Sequence, residues 1–177
     1  MRSLIPRDWK VVRYVAFAMA YDDLTVLSDD EELVLSKPVA QWQKVTRALA
    51  HPSNAYWVAE DNATPVASLY MRTCTPEVGE IGNVWVSPNY RRHGLAKLLI
   101  TTSLSGFQAR GVRAVSLNVA ADNRSAQRLY RKLGFAPTGR EISRPQGSQY
   151  LEFVVPLSSV TRPRTTRAGY PYDHSVP

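Results

Sequence analysis

The chain has 177 residues, of which 44% are hydrophobic, and this is the length and composition of one globular domain rather than of a fibrous chain. Lysine and arginine number 22 against 15 aspartate and glutamate, so the formal charge of +7 favours an anionic partner without naming it. No apolar run has the length of a membrane span and the N-terminus lacks the pattern of a secretory signal, so we expect a cytoplasmic protein with no membrane contact.

The N-terminal half of the chain predicts two helices followed by a β-hairpin. Apolar side chains recur at three- and four-residue spacing over 7–20 and again over 39–50, as in helices that bury one face. The segments 54–61 and 65–73 are strand-like and are separated by a short polar turn. We therefore expect two antiparallel strands after the two helices.

Strands and helices alternate in the C-terminal half. The predicted elements are a strand at 79–87, a helix at 91–110, a strand at 112–120, a helix that begins at Asp122 or Asn123 and ends at Gly134, and strands at 135–140 and 149–157. This alternation predicts an α/β architecture, and the preceding hairpin adds antiparallel strands. The expected result is a mixed sheet with helices on both faces.

The last 20 residues differ in composition from the rest of the chain. They contain Arg162, Arg164 and Arg167 among proline, serine and threonine, and they have no apolar period. Such a segment cannot bury enough apolar surface to fold. We predict one domain at 1–157 and a basic, poorly ordered tail at 158–177, which is either a solvated terminus or a segment that docks on a partner subunit or substrate.

The segment between the strand at 79–87 and the following helix has the features of an anion site. The first amides of a helix have no partner within the helix and carry partial positive charge. Gly94 lets a ligand approach the backbone, and Arg91, Arg92 and Lys97 add positive charge. A pyrophosphate is the expected ligand, although turns with a glycine between strand and helix are also common where no ligand binds.

Two motifs in this half resemble the GNAT acetyltransferase family. Arg91-Arg92-His93-Gly94-Leu95-Ala96 matches the family signature Arg/Gln-x-x-Gly-x-Gly/Ala. Asn123-Arg124-Ser125-Ala126 and Leu129-Tyr130-Arg131-Lys132-Leu133-Gly134-Phe135 match its second signature, Asn-x-x-Ala followed by Leu-Tyr-x-x-x-Gly-Phe. Weaker similarity extends over most of the chain, from about residue 8 to residue 157.

The resemblance implies a fold, an activity and a co-substrate. The fold is a mixed, mostly antiparallel sheet flanked by helices, in which the strands matching 80–86 and 113–119 splay apart. The activity is transfer of an acetyl group from acetyl-CoA to a primary amine by direct attack, without a metal. His51, His93 and His174 are scattered along the chain, which gives no independent sign of a metal site.

The resemblance also implies a cofactor site, carried over residue by residue. Val84 and Val86 are expected to offer backbone groups to the pantetheine arm, and Asn123 is expected to hydrogen-bond it. Tyr130 is expected near the thioester sulfur, and Trp85 and Ser125 are also expected among the cofactor-binding residues. The pyrophosphate is expected at the turn formed by Arg91, Arg92, His93, Gly94, Leu95, Ala96 and Lys97. The adenosine 3′-phosphate is expected near Arg124, Arg131 and Lys132.

Three groups are implied as catalytic. The amide of Val86 would polarise the thioester carbonyl, and the hydroxyl of Tyr130 would protonate the departing thiolate. Glu80 would accept the proton of the amine through a water molecule. Both side chains also have plainer interpretations, Tyr130 as a core aromatic and Glu80 as an exposed carboxylate at a strand end. Family members that acetylate ribosomal proteins have a glutamate where this chain has Asn118, which weakens that substrate assignment.

The acceptor is the least determined part of the prediction. A small-molecule or peptide amine is favoured; protein N-termini, lysines, aminoacyl-tRNA and a non-catalytic CoA-binding role are the alternatives. A nucleic-acid partner is not favoured, and a homodimer stays open. The acceptor pocket is expected in segments 20–40 and 138–150, where Arg140, Glu141, Arg144 and Gln149 are candidates for lining it. Cys74 is expected to fill a strand position rather than to carry an acetyl group.

Overall fold

A computed structural model describes residues 1–22, 36–51, 53–143 and 148–157. In these ranges the chain forms seven strands and four helices. In chain order they are β1 (Arg2–Ser3), α1 (Trp9–Asp22), α2 (Val39–Leu49), β2 (Asn54–Asp61), β3 (Thr64–Thr75), β4 (Val78–Val86), α3 (Leu95–Ala109), β5 (Ala114–Ala120), α4 (Arg124–Lys132), β6 (Ala136–Ser143) and β7 (Gln149–Pro156).

The strands form one mixed sheet in the order β1-β2-β3-β4-β5-β7-β6. Strands β4 and β5 are parallel and are connected through α3, whereas the other neighbouring pairs are antiparallel. The predicted α/β architecture with a mostly antiparallel sheet is therefore confirmed. Within the described ranges, no helix combines the length and the apolar character needed to cross a bilayer.

Helices cover both faces of the sheet, as predicted. Successive side chains of a strand point to opposite faces, so Tyr56 and Val58 lie on one face of β2, and Ala55 and Trp57 lie on the other. The first pair belongs to a buried cluster with α1 and α2. The second pair belongs to a larger cluster that contains the buried side chains of α3 and Tyr130 of α4. The two faces are called the α1/α2 face and the α3/α4 face below.

Strand β4 contains one extra residue that changes its course. Between Ser68 and Tyr70 of β3 there is one residue, whereas their partners in β4, Trp85 and Gly82, are separated by two. Asn83 adopts a φ of 49°, and its carbonyl accepts a hydrogen bond from the Ser68 hydroxyl over 3.3 Å. Such a bulge bends its strand and increases the local twist, which turns the end of β4 away from its neighbour.

The central strands separate directly before this bulge. The register of β4 with β5 covers four residue pairs and ends at Ile81 opposite Leu117. Beyond that point β5 continues to pair with β7 as far as Ala120, while β4 continues to pair with β3. The expected splaying of the two central strands is therefore present, and it leaves a gap inside the sheet.

Two boundaries differ from the sequence prediction for physical reasons. The helix predicted to begin at Arg91 begins at Leu95, because Arg92 and Gly94 have φ values of 69° and 82°, which are incompatible with a right-handed helix. Strand β1 was not predicted, since two residues are too short to show a period. The tail at 158–177 lies outside the described residues, so the proposed domain boundary stays a prediction.

Candidate active site

The gap between the separating strands forms a cavity of about 70 Å³, called the wedge below. Its walls come from β4, β5, the start of α4 and β7. The lining residues are Ile81, Gly82, Asn83, Val84, Leu117, Asn118, Val119, Ala120, Asn123, Ala126, Tyr130 and Tyr150. Three residues predicted to bind the donor, Val84, Asn123 and Tyr130, are among them.

Backbone amides of β4 face the wedge. The amide of Ser87 donates to the Val66 carbonyl over 2.8 Å, so it points toward β3. Because amides alternate in direction along a strand, those of Val84 and Val86 point the opposite way, toward the gap. This segment has no register with β5, so the edge of β4 offers backbone groups to a ligand in the wedge.

The turn that precedes α3 contains six consecutive amides without an acceptor. The amides from Arg92 to Lys97 donate no hydrogen bond to any described residue, and the first helical bond is from Leu98 to the Gly94 carbonyl, over 2.9 Å. Two of the six precede Gly94, the N-cap of α3, and so extend the usual unpaired first turn of a helix. A Cβ on Gly94 would have no heavy atom within 4 Å, so the backbone is open to a ligand.

The basic side chains of this turn divide into two groups. Arg92, His93 and Lys97 are exposed and form no ion pair with a described residue. The guanidinium of Arg91 is instead engaged by the protein: its Nε donates to the Val86 carbonyl over 3.1 Å, and another nitrogen contacts the Asp22 carboxylate. Arg91 therefore holds the turn against β4, and its role toward a phosphate stays a prediction.

The side chain of Trp85 points away from the wedge. It is buried in the cluster on the α1/α2 face, and its indole donates to Asp22 over 3.1 Å. Only the backbone of Trp85 is thus available for the donor contact that was predicted. The neighbouring side chains of Val84 and Val86 pack on the α3/α4 face.

Helix α4 positions the residues of the second motif. The Asn123 side chain caps it, with Oδ1 accepting from the Ala126 amide over 3.0 Å, and its amide nitrogen has no acceptor among the described residues. Ser125 and Lys132 are exposed, as is Arg124. The guanidinium of Arg131 lies 5.2 Å from the centre of the Phe153 ring, so part of its contact is with the core.

Tyr130 is both a core aromatic and a wall of the wedge. Its ring packs against Phe135 and Phe153, with centroids 6.0 and 6.5 Å away, and the residue is 6% exposed. Its hydroxyl forms no hydrogen bond to a described residue. Burial raises the pKa of Tyr130 above its ordinary value, which favours the protonated hydroxyl at neutral pH.

Glu80 lies on the opposite face from Tyr130. Its neighbours in β4, Gly79 and Ile81, point toward α3, so by alternation Glu80 points to the α1/α2 face. Its carboxylate contacts the Arg72 guanidinium, and the Cys74 thiol donates to it over 3.6 Å. Glu80 is not among the residues that line the wedge, so its role as a base stays a prediction.

Two carboxylates near the wedge were missed in the sequence. Glu152 of β7 is directly opposite Asn118, so it lies on the same face as Glu80, and it contacts the Thr138 hydroxyl over 2.9 Å and Arg140 over 3.6 Å. Asp22 at the end of α1 accepts from Trp85 and Arg91. The cross-strand register that reveals Glu152 and the long-range contacts that reveal Asp22 have no local signal in the sequence.

The described residues that were predicted to line the acceptor pocket have known surroundings, and their role toward an acceptor stays a prediction. Arg140 contacts Glu152, Gln149 bonds to the Ser143 hydroxyl, and Glu141 is exposed on β6; Arg144 lies outside the described residues. Cys74 occupies a strand position, at the end of β3, and is exposed. Within the described ranges, no three histidine, cysteine, aspartate or glutamate side chains are grouped to hold a metal ion.

Comparisons with known proteins agree with this architecture. The family model described as the acetyltransferase (GNAT) family matches residues 14–135, more than half of the chain. Mycothiol acetyltransferase from Paenarthrobacter aurescens is 43% identical over 60 residues, which cover 34% of this chain and 19% of that protein. The GNAT-family acetyltransferase from Streptococcus pneumoniae superimposes over 89% of this chain and 98% of its own, with a TM-score of 0.70 and 20% identity.

A second similar structure was solved with acetyl-CoA. The yncA protein of Salmonella typhimurium, solved with its cofactor acetyl-CoA, superimposes over 93% of this chain and 96% of its own, with a TM-score of 0.72 and 14% identity. At such identities the structural likeness shows the shared fold. The matched segment covers 19% of the Paenarthrobacter aurescens mycothiol acetyltransferase and 33% of the one from Corynebacterium glutamicum, so the chain matches only part of these relatives.

Proposed function

This chain belongs to the GNAT acetyltransferase family, and on that premise we propose that it transfers an acetyl group from acetyl-CoA to a primary amine. The observation that carries the proposal is the run of unpaired amides from Arg92 to Lys97 beside the wedge. A pyrophosphate supplies acceptor oxygens for such a run, and a pantetheine arm supplies amide groups that match the unpaired edge of β4. The unpaired amides therefore suit the pyrophosphate of acetyl-CoA, and the edge of β4 suits its pantetheine arm.

The electrostatics of the turn support this donor. Helix α3 directs its positive end at the turn, and Lys97 in its first turn adds a cation without a described ion-pair partner. The open space at Gly94 lets phosphate oxygens approach the backbone. Exposed Arg124 and Lys132 on α4 are available for the adenosine 3′-phosphate.

The catalytic steps use groups on both sides of the sheet. The Val86 amide hydrogen-bonds the thioester oxygen and stabilises the negative charge that grows there. Glu80 accepts a proton from the attacking amine, through a water molecule, as the new carbon–nitrogen bond forms. Tyr130 donates its hydroxyl proton to the sulfur as the carbon–sulfur bond breaks. The acceptor approaches from the α1/α2 face and the donor from the α3/α4 face, which suits direct attack in a ternary complex.

We place a small-molecule or peptide amine in the acceptor position. Glu80 and Glu152 lie on the α1/α2 face in the two strands that flank β5, opposite Ser116 and Asn118. Each carboxylate contacts an arginine, and a cationic amine would compete with that arginine for it. Either carboxylate could take the proton, so matched variants decide between them. We expect Glu80→Gln to lower kcat about 100-fold, whereas Glu152→Gln mainly raises KM for the amine. The reverse pattern would assign the base to Glu152.

Donor binding and turnover are tested separately. Calorimetry with acetyl-CoA should show binding at or below about 1 mM, and dephospho-CoA should bind more weakly if the basic residues of α4 contact the 3′-phosphate. Thiol release should then depend on an amine when a panel of amines, amino acids, aminoglycosides, peptides and aminoacyl-tRNA is offered. Failure to bind acetyl-CoA would refute the proposal, and binding without release for every acceptor would refute its catalytic part.

Tyr130→Phe tests the proposed proton donor. Phenylalanine keeps the ring contacts with Phe135 and Phe153, and the lost hydroxyl has no hydrogen bond to a described residue, so the free energy of unfolding should change little. We expect kcat to fall about 100-fold, since a positioned general acid contributes at least that much. Unchanged turnover in a folded variant would remove Tyr130 from the mechanism.

A further inference from the structure

The carboxylate of Asp22 joins three elements that surround the donor site. Asp22 is the last residue of α1, and its side chain is 12% exposed. Its Oδ2 atom accepts a hydrogen bond from the Trp85 indole over 3.1 Å and another from the Arg91 guanidinium. One oxygen atom therefore connects the end of α1, the end of β4 and the turn before α3.

The same contacts fix the peptide group that follows Val86. The Val86 carbonyl accepts from Arg91 Nε over 3.1 Å, and the Ser87 amide of that peptide donates to the Val66 carbonyl over 2.8 Å. The peptide plane is thus held from both sides. On the other side of Val86, Trp85 is held by its indole. The Val86 amide lies between two anchored groups, and both anchors lead to Asp22.

We infer that Asp22 is a positioning residue for acetyl transfer, an inference that rests on the proposed function. Asp22 is not among the residues that line the wedge, so it acts through Trp85 and Arg91. It keeps the Val86 amide directed at the thioester oxygen before the donor arrives, and a preorganised donor costs no reorganisation during the reaction. It also forms an ion pair with Arg91, which holds the turn before α3 against the end of α1.

If Asp22 is a positioning residue, its substitution should lower turnover and leave the affinity for acetyl-CoA almost unchanged. In Asp22→Asn the side chain keeps its size and one acceptor oxygen but loses its charge, which removes the ion pair with Arg91 and weakens the hydrogen bond from the Trp85 indole. We expect kcat to fall about tenfold, because small displacements of a catalytic group are costly, while Kd for acetyl-CoA changes less than about threefold. Unchanged kcat, or a loss confined to Kd, would overturn the inference.

Asp61→Asn is the matched control. The Asp61 carboxylate accepts from the Tyr90 hydroxyl, so it also contacts the segment before α3, but it has no contact with Val86, Trp85 or Arg91. We expect kcat of this variant to equal that of the wild type. If both aspartate variants lose turnover equally, general loosening of the segment explains the effect, and a specific role of Asp22 is wrong.

A double-mutant cycle tests whether Asp22 acts through Arg91. Arg91→Gln alone should lower kcat by a factor similar to that of Asp22→Asn. When both residues are changed, the loss should be smaller than the product of the two separate losses, because the ion pair between them can be lost only once. Losses that multiply would show that the two residues act independently and would overturn the inference.

A spectroscopic measurement tests the contact without any ligand. The chain has four tryptophans, so its indole N–H region contains at most four signals, and Trp85→Phe identifies the relevant one. A bond to a carboxylate shifts an indole proton downfield, so Asp22→Asn should move this signal upfield. An unmoved signal overturns the inference whatever the protein binds. Failure of the wild type to bind acetyl-CoA would instead overturn the proposed function, with the contact itself still measurable.

Discussion

A glycine with a left-handed φ flanks each end of helix α3, but the backbone amides at the two ends differ in their hydrogen bonds. Gly94 precedes the helix with a φ of 82°, and Gly111 follows it with a φ of 81°. At both positions a Cβ would meet no heavy atom within 4 Å. Local conformation and local space therefore do not distinguish them, and the difference lies in what the neighbouring backbone groups bond to.

The C-terminal end of α3 is closed by the protein itself. The Val112 amide donates to the Phe107 carbonyl over 3.1 Å, and the Gly111 amide donates to the Gln108 carbonyl over 3.0 Å. This is the Schellman arrangement, and the side chains of Val112 and Phe107 are both buried in the core. The N-terminal end has no such closure. An unclosed helix end beside a gap in a sheet is thus the better sign of a binding site than the glycine itself.

The largest effect should come from disturbing the closed end. A Cβ on Gly79 of β4 would lie 2.5 Å from the Phe107 ring, which is fully buried. Because the core cannot absorb this overlap without moving, we expect Gly79→Ala to lower the free energy of unfolding by about 3 kcal/mol. Urea denaturation measures it.

Gly106→Ala provides the control for that substitution. It lies in α3 next to Phe107, and its Cβ would be 3.7 Å from the Met71 methyl group, which is an ordinary contact. Alanine in a helix interior should raise stability by about 0.5–1 kcal/mol. If Gly79→Ala were tolerated as well as Gly106→Ala, the closed end would be less tightly packed than described.

The intermediate effect should come from the two glycines themselves. Alanine at either position is strained by the left-handed backbone, so both variants should lose roughly 1 kcal/mol of stability. Only at Gly94 would the added methyl group occupy the space proposed for the pyrophosphate. We expect Kd for acetyl-CoA to rise about tenfold in Gly94→Ala and to stay unchanged in Gly111→Ala, as measured by calorimetry. Equal Kd values would remove the functional distinction between the two ends.

The smallest effect should come from charge. Lys97 is in the first turn of α3 and Arg110 is its C-cap, and neither has an ion pair with a described residue. We expect Lys97→Gln to weaken acetyl-CoA binding about threefold at low salt, which corresponds to one exposed cation near a phosphate. The effect should shrink at high salt because of screening, and Arg110→Gln should have none. A loss that does not depend on salt would contradict an electrostatic role of Lys97.

The elements with local signals were predictable from the sequence. Asn123 indicated the cap of α4, and Gly134 indicated its end. Each of these signals depends on residues within one or two turns of each other. The short motifs indicated the turn before α3 for the same reason.

What could not be predicted depends on distant parts of the chain. The extra residue at Asn83 is an irregularity only relative to β3, so β4 alone reads as an ordinary strand. The ion pair of Arg91 has no local signal, because its partner Asp22 is 69 residues away. Glu152 reads as a surface residue until the register places it opposite Asn118. The features that the sequence could not predict are those formed by residues far apart in the chain.

The parting of β4 and β5 also has a mechanical consequence. The sheet consists of two groups of strands, β1–β4 and β5–β7, which are joined only by the four residue pairs between β4 and β5. An extended ligand amide in the wedge would hydrogen-bond to both strands and would continue the pairing that ends at Ile81. Donor binding should therefore make the sheet more rigid. Amide hydrogen exchange at the four β4–β5 pairs should slow as donor is added and should return to its faster rate when the product leaves.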